Sequence, residues 1–267
     1  MPESTRNRHA LCIGINDYPG TGADLFGCVN DALDWQSALT ARGFRATTLL
    51  DSGATGAAIR AGIRELVGAA KWGDKVVITY SGHGTWVPDR DGDEADRRDE
   101  ALCPYDVDTR GVIIDDELYA LFTAKARGVR IVMISDSCNS GTVARFASFG
   151  TADATSRVRY LPPEAHLTTG QFAQARALAG RPRSKPQRDS ALLLAGCRDF
   201  EYSYDARIAG RANGAFTRAA LDTLVELPRA ATFTDWHRAI ARDLPSQRFP
   251  QTPQLYGSTT QRAWEVL

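Results

Sequence analysis

The chain lacks a long hydrophobic run. No apolar stretch approaches the roughly 20 residues that cross a bilayer, and Met1 to Arg8 is polar where a secretory leader would carry its apolar segment. It lacks an excess of either charge: 32 Lys and Arg stand against 32 Asp and Glu, so no global field favours nucleic acid or a membrane surface. It has no C-x-x-C pair. Cys12, Cys28, Cys103, Cys138 and Cys197 are odd in number and widely spaced, which argues against a disulfide framework and against a structural zinc site. Internal repeats and low-complexity tracts are missing too. What remains is a 267-residue chain, 43% hydrophobic and 24% charged, with the composition of a soluble globular protein. The expectation is a cytoplasmic location with reduced thiols, and neither a nucleic-acid nor a membrane partner.

Strand-like and helix-like segments alternate. His9 to Ile15, Phe44 to Leu50, Lys75 to Tyr80 and Val129 to Ile134 read as buried strands. Asn30 to Ala41 has helical spacing at Ala32, Leu33, Trp35, Ala38 and Leu39, and Ala57 to Ala70 at Ile59, Ile63, Leu66 and Val67. Asp115 is expected to cap a helix running to Lys125 with Leu118, Leu121 and Phe122 inward. The pattern dissolves over residues 142–189. It resumes with a strand from Ser190 to Gly196, helices from Ala215 to Val225 and Thr234 to Leu244, and a short strand at Leu255 to Gly257. This order predicts an α/β fold, a mainly parallel central sheet with helices on both faces. Sites in such sheets form beyond the carboxyl ends of the strands.

Two short loops sit at those ends, Ser81-Gly82-His83-Gly84 and Asp136-Ser137-Cys138-Asn139-Ser140-Gly141. A thiol needs a base to become a strong nucleophile at neutral pH, and a neutral imidazole suits that work. Cys138 has polar neighbours on both sides, whereas Cys12 lies inside an apolar strand and reads as core. Of the four histidines only His83 is flanked by glycines, which let a substrate backbone come close. The pair Cys138 and His83 therefore reads as nucleophile and general base of a cysteine endopeptidase.

Together these loops resemble the caspase-like cysteine peptidases, and within them the metacaspase branch that includes bacterial forms. The resemblance runs through Gly27-Cys28-Val29-Asn30-Asp31-Ala32, Tyr80-Ser81-Gly82-His83-Gly84-Thr85, Asp115-Asp116-Glu117-Leu118 and Ala195-Gly196-Cys197-Arg198, in matching order over roughly residues 8 to 260. It implies a single caspase-like domain over 1–267. Residues 8–145 are then like a large subunit, 146–189 an irregular linker region, and 190–260 like a small subunit. It also implies backbone N–H groups of Gly84 and Cys138 as oxyanion donors, and an S1 pocket of Asp31, Asp136 and Ser81 beside Cys28. Two carboxylates suit a guanidinium, which pairs bidentately, so the expected substrates are proteins or peptides with exposed Arg or Lys.

The stretch Asp89 to Glu100 holds seven acids and three bases. Glu94 stands where an EF-hand needs glycine, so that motif fails. The resemblance nonetheless implies Ca²⁺ as an activator that the chemistry itself does not require, with Asp99, Glu100, Asp115 and Asp116 as ligands. One departure is Arg145, near the place where the family often has a further acid. The basic, proline-containing stretch Gly180 to Arg188 offers Arg183 and Arg188 as self-cleavage sites, since proline follows Arg181 and Lys185. The family pattern further suggests a monomer. Two rival readings are a catalytically idle caspase-like binding or regulatory module and a non-proteolytic thiol transferase, the latter leaving the acidic pocket unexplained.

Overall fold

The computed structural model describes residues 7–88, 98–138, 156–167, 170 and 190–267. In chain order its elements are β1 (Arg8–Gly14), α1 (Cys28–Thr40), β2 (Arg45–Leu50), α2 (Gly56–Ala69), β3 (Lys75–Ser81), β4 (Gly84–Pro88), β5 (Arg98–Leu102), α3 (Val107–Arg110), β6 (Ile113–Ile114), α4 (Asp115–Thr123) and β7 (Arg130–Asp136). They continue with β8 (Ser156–Val158), β9 (Leu192–Ala195), β10 (Tyr204–Ile208), β11 (Arg211–Gly214), α5 (Ala215–Glu226), α6 (Phe233–Ile240), β12 (Gln254–Tyr256) and α7 (Thr259–Arg262).

The central sheet has the order β12-β9-β7-β3-β1-β2, with only β12 antiparallel to its neighbour. Its inner strands are apolar on both faces because helices cover both. Alternate side chains serve opposite cores. Leu11, Ile13, Ile78 and Ile131 pack under α2 and α4 against Ile59, Ile63, Leu118 and Phe122. Ala10, Cys12, Val77 and Ile134 pack under α1, α5 and α6 against Trp35, Leu39, Phe216 and Trp236. Two small antiparallel sheets complete the fold, β4-β5-β6 and β11-β10-β8.

Register fixes the site. Ser81 at the end of β3 stands opposite Asp136 at the end of β7, so the chain leaves these adjacent strands at the same sheet edge. The β3 exit carries His83 and the β7 exit carries Cys138.

Some local expectations need correction. Leu33 is 41% exposed, because the buried stripe of α1 runs through Cys28, Asp31, Ala32, Trp35 and Leu39 and leaves it outside. Asp115 is the first residue of α4 rather than its cap; Ile114, still paired through β6 to β5, holds the capping position. The region 142–189 contains β8, too short to show a period of its own.

Trp236 is fully buried, edge-on to Trp35 at 6.1 Å, and donates its indole N–H to the Ala220 carbonyl at 3.1 Å. Trp236→Ala is expected to lower unfolding free energy by about 3–5 kcal/mol in urea titration. A change below about 1 kcal/mol would mean that the α1–α5–α6 layer does not depend on this side chain.

Candidate active site

His83 is buried and held on every side. Its backbone N–H donates to the Tyr18 hydroxyl at 2.7 Å, and its carbonyl accepts from the Tyr80 hydroxyl at 2.7 Å and the Cys103 N–H at 3.0 Å. Gly82 is required by space: a Cβ there would lie 2.5 Å from the Tyr18 hydroxyl and 2.7 Å from that of Tyr80. The ring tilts against Tyr18 at 4.6 Å, with Nε2 2.5 Å from the Ala23 carbonyl oxygen. A carbonyl only accepts, so Nε2 carries the ring proton and Nδ1 is left as the basic nitrogen. The orienting group is thus a backbone carbonyl and not a carboxylate. Burial lowers the His83 pKa to about 4 from the usual 6.5, which keeps the imidazole neutral at physiological pH.

Cys138 is also buried. Its Sγ lies against the backbone of Ser203, 3.5 Å from the carbonyl oxygen, and in the same apolar cluster as Cys197. Hydrogen bonding to Cys138, and then burial, push the Cys197 thiol well up. Burial likewise raises Cys12, to about 12, and Cys103 well above its usual value. All five cysteines are free.

The loops meet on one atom, the carbonyl oxygen of Arg159. Gly84 N–H donates to it at 3.0 Å and Cys138 N–H at 3.1 Å. The Arg159 N–H in turn donates to the Ser203 carbonyl at 2.9 Å. Upstream, β8 pairs antiparallel with β10, Val158 opposite Tyr204 and Ser156 opposite Ala206. Downstream, Leu161 N–H donates to the Gly84 carbonyl at 2.9 Å. The segment 156–161 therefore crosses the cleft between the two loops as an extended strand.

The Arg159 guanidinium is fully buried. Its Nη2 is 2.7 Å from Asp31 and 3.1 Å from Asp205, and its Nη1 is 3.0 Å from Asp136. Burial opposes its charge, but Asp136, Cys28, Asp31 and Asp205 hold its pKa well above the ordinary value. Burial pushes Asp31 up, to about 6, with Arg159 pulling the other way. Each acid also has its own donors. Asp31 accepts from Asn213 Nδ2 at 2.9 Å and Gly214 N–H at 3.0 Å. Asp136 accepts from Thr217 N–H at 3.0 Å, the Thr217 hydroxyl at 2.7 Å and the Ser203 hydroxyl. Asp205 accepts from the Phe26 and Gly27 N–H groups.

Asp31, Asp136, His83, Gly84 and Cys138 thus gather around one residue. Ser81 is buried at the end of β3, and Cys28 is buried beside the charges; burial, with the three carboxylates and against Arg159, holds its thiol pKa well above the usual value. Asp205, Ser203, Ala23 and Arg159 have no motif of their own in the sequence. The basic residues at alternate positions, Arg157 and Arg159, are the one local signal of an extended strand.

The expected calcium ligands lie elsewhere. Glu100 and Asp115 line a cavity of about 690 Å³ that also touches Ser137 and Cys197. Asp99 is the neighbour of Glu100 on β5 and so points to the opposite face. Among the described residues, no three His, Cys, Asp or Glu side chains are arranged to hold a metal. Residues 89–97, Arg145, Arg183 and Arg188 lie outside the described residues. No helix among the described residues is long and apolar enough to cross a membrane.

The arrangement defines a class. A helix-covered parallel sheet that sets a histidine and a cysteine loop at one edge is the caspase architecture, and the Spodoptera frugiperda Caspase-1 structure superposes with a TM-score of 0.63 at 12% identity, over 94% of this chain and 86% of that one. A crystal structure of a Geobacter sulfurreducens protein superposes with a TM-score of 0.75 at 31% identity, over 97% of each chain. Metacaspase-1 of Cryptococcus neoformans is 31% identical over 292 residues, covering 96% of this chain and 63% of its own. The model of the metacaspase, peptidase C14 domain matches residues 8–146, and the chain belongs to that family.

Because the fold holds His83 below the value of a free imidazole, the ring stays neutral as pH falls through 6.5 and takes its proton only near 4. NMR titration of the His83 ring is expected to give a midpoint about 4; a midpoint near 6.5 would mean that the ring is solvated.

Proposed function

We propose that this metacaspase is a cysteine endopeptidase that cuts proteins and peptides after arginine, and less readily after lysine. One observation carries the reading: an arginine, Arg159, already sits with its guanidinium on Asp31, Asp136 and Asp205 and its carbonyl oxygen between the Gly84 and Cys138 N–H groups. In this reading His83 Nδ1 takes the Cys138 proton, and the thiolate attacks the carbonyl carbon of the P1 residue. The two N–H groups stabilise the oxyanion, His83 protonates the leaving amine, and water then releases the acid from the thioester. Five free cysteines suit a reducing compartment. Calcium stimulation, which the resemblance suggests, finds no ligand set among the described residues, and no step uses it.

Peptides varied only at P1, assayed with and without Ca²⁺, test the reading. Cys138→Ala and His83→Ala should each abolish cleavage, and an arginyl chloromethylketone should label Cys138 alone. A chain that neither cleaves nor labels is a binding module. Efficient cleavage after Asp and none after Arg would overturn the pocket assignment.

Gly214→Ala probes the pocket by space alone. Its φ of −70° and ψ of 138° suit alanine, but a Cβ would lie 2.0 Å from Asp136 Oδ2 and 2.5 Å from Arg159 Nη1. Overpacking of about 1–3 kcal/mol should lower kcat/KM for arginyl peptides by about 5- to 150-fold. Unchanged kinetics would mean that the P1 side chain binds elsewhere.

A further inference from the structure

We propose that Cys138 and Cys197 form an oxidation site: hydrogen peroxide joins the two sulfurs in a disulfide that stops the enzyme, and a thiol reductant releases it. The proposal rests on the catalytic reading above only in taking Cys138 as the reactive thiol. It gives a task to Cys197, which no step of that chemistry uses.

The fold sets the two side by side. Ser135 of β7 stands opposite Ala195 of β9 in parallel register, and Gly196 N–H donates to the Ser135 carbonyl at 2.9 Å. The chain therefore leaves adjacent strands at one sheet edge, with Cys138 just past Ser135 and Cys197 just past Ala195. The Cys197 sulfur lies 3.6 Å from the Ser137 carbonyl oxygen, on the peptide group that leads into Cys138. Buried Gln251 braces the other side: its Nε2 donates to the Gly196 carbonyl at 2.9 Å and to the Ser203 hydroxyl at 3.1 Å. The Ser203 carbonyl oxygen is in turn 3.5 Å from the Cys138 sulfur.

Both thiols are buried in one small apolar cluster with Tyr160 and Tyr202. The other three cysteines lie elsewhere, Cys28 and Cys103 in the core under α2 and α4 and Cys12 in the core under α1. A disulfide needs side chains that meet without moving the backbone, and Cys197 is the one cysteine that shares a cluster with Cys138. Packing alone would explain two small apolar residues in contact, but it would not call for a way in. Cys197 and Ser137 both line the 690 Å³ cavity, whose lining does not include residues 156–161, so a molecule the size of hydrogen peroxide has a route to the pair that the strand does not block.

The two sulfurs have unequal roles. Hydrogen bonding to Cys138, then burial, then the Cys138 charge keep the Cys197 thiol protonated, so at rest it does not compete as a nucleophile. In the first step His83 draws the Cys138 proton and the thiolate attacks one peroxide oxygen. The O–O bond breaks, the leaving hydroxide takes a proton and departs as water, and Cys138 carries a neutral S–OH group. The charge that helped to hold Cys197 protonated is then gone. The Cys197 sulfur attacks the Cys138 sulfur, the S–O bond breaks, and the hydroxide leaves with the Cys197 proton as a second water. Two thiols and one peroxide thus give one disulfide and two waters. The pair of sulfurs loses two electrons and the peroxide oxygens gain them.

The experiment treats purified full-length chain with hydrogen peroxide, blocks free thiols with iodoacetamide and maps the unreduced peptides by mass spectrometry. Cleavage of arginyl peptides and chloromethylketone labelling are followed in parallel. Wild type is expected to become lighter by two hydrogen atoms, to yield a crosslinked peptide pair holding Cys138 and Cys197, and to lose cleavage and labelling together. Dithiothreitol should reverse all of this. Cys197→Ser and Cys197→Ala should cleave like wild type before oxidation. Afterwards their Cys138 should pass on to sulfinic acid, and dithiothreitol should recover about tenfold less activity than in wild type. The wild-type map needs no variant, so it decides even where a variant is unstable. Sulfinic acid at Cys138 of wild type without the crosslink, a crosslink to a different cysteine, or equal recovery in the Cys197 variants overturns this inference and leaves the catalytic reading standing. A Cys138–Cys197 crosslink in a chain that neither cleaves nor labels before oxidation supports the pairing and overturns the catalytic reading.

Discussion

The structure turns on one buried cation. Arg159 joins three carboxylates that the chain brings from distant places: Asp31 from the first turn of α1, Asp136 from the end of β7 and Asp205 from β10. Burying four charges costs several kcal/mol each unless hydrogen bonds replace the lost water. Here they do, through Asn213, Gly214, Thr217, Ser203 and the backbone of residues 26 and 27. Two of those donors, Gly214 and Thr217, belong to the start of α5, whose free N–H groups and dipole favour anions. The network therefore locks α1, β7, the β8–β10–β11 sheet and α5 to one another. Three acids against one base leave an excess of negative charge around Arg159.

This gives the cleft two tasks that pull against each other. In the proposed reading, the contacts that order residues 156–161 are those a peptide substrate would make. As long as Arg159 is in place, His83 and Cys138 are buried beneath it, and burial is what keeps the imidazole neutral. In that reading, a substrate in place of the strand would restore the same dry surroundings and so the same basic nitrogen. Local order in the resting chain and readiness for chemistry thus draw on the same atoms.

The central sheet was legible because its strands are continuous apolar runs, and the helices over it because Ile59, Ile63, Val67 and Trp35, Leu39 fall at helical spacing. The two loops were legible because polar and glycine residues interrupt those runs at the strand ends. The third carboxylate and its arginine were not. Asp205 and Arg159 are 46 residues apart, Arg159 and Asp31 are 128 apart, and the strands that align them are three to seven residues long. No local pattern encodes such a meeting; it follows from β8 adding to β10. Ala23 escaped for another reason, since a backbone carbonyl leaves no trace in residue type.

Geometry also bears on the proposed preference for arginine over lysine. The carboxylates approach the guanidinium from different directions: Nη2 serves Asp31 and Asp205 while Nη1 serves Asp136 and the Asp136 carbonyl, at 3.2 Å. A planar fork presents those donors in fixed positions about one carbon. An ammonium gathers its three donors on a single nitrogen, so a carboxylate that only the second guanidinium nitrogen reaches, as Asp136 is here, stands to lose its cation. A buried carboxylate left that way keeps only its neutral donors, and the difference falls on binding of the side chain rather than on the chemistry at Cys138. The proposed preference for arginine rests on how the three acids are spaced, with Asp205, which no motif announces, sharing Nη2 with Asp31 while Asp136 takes Nη1.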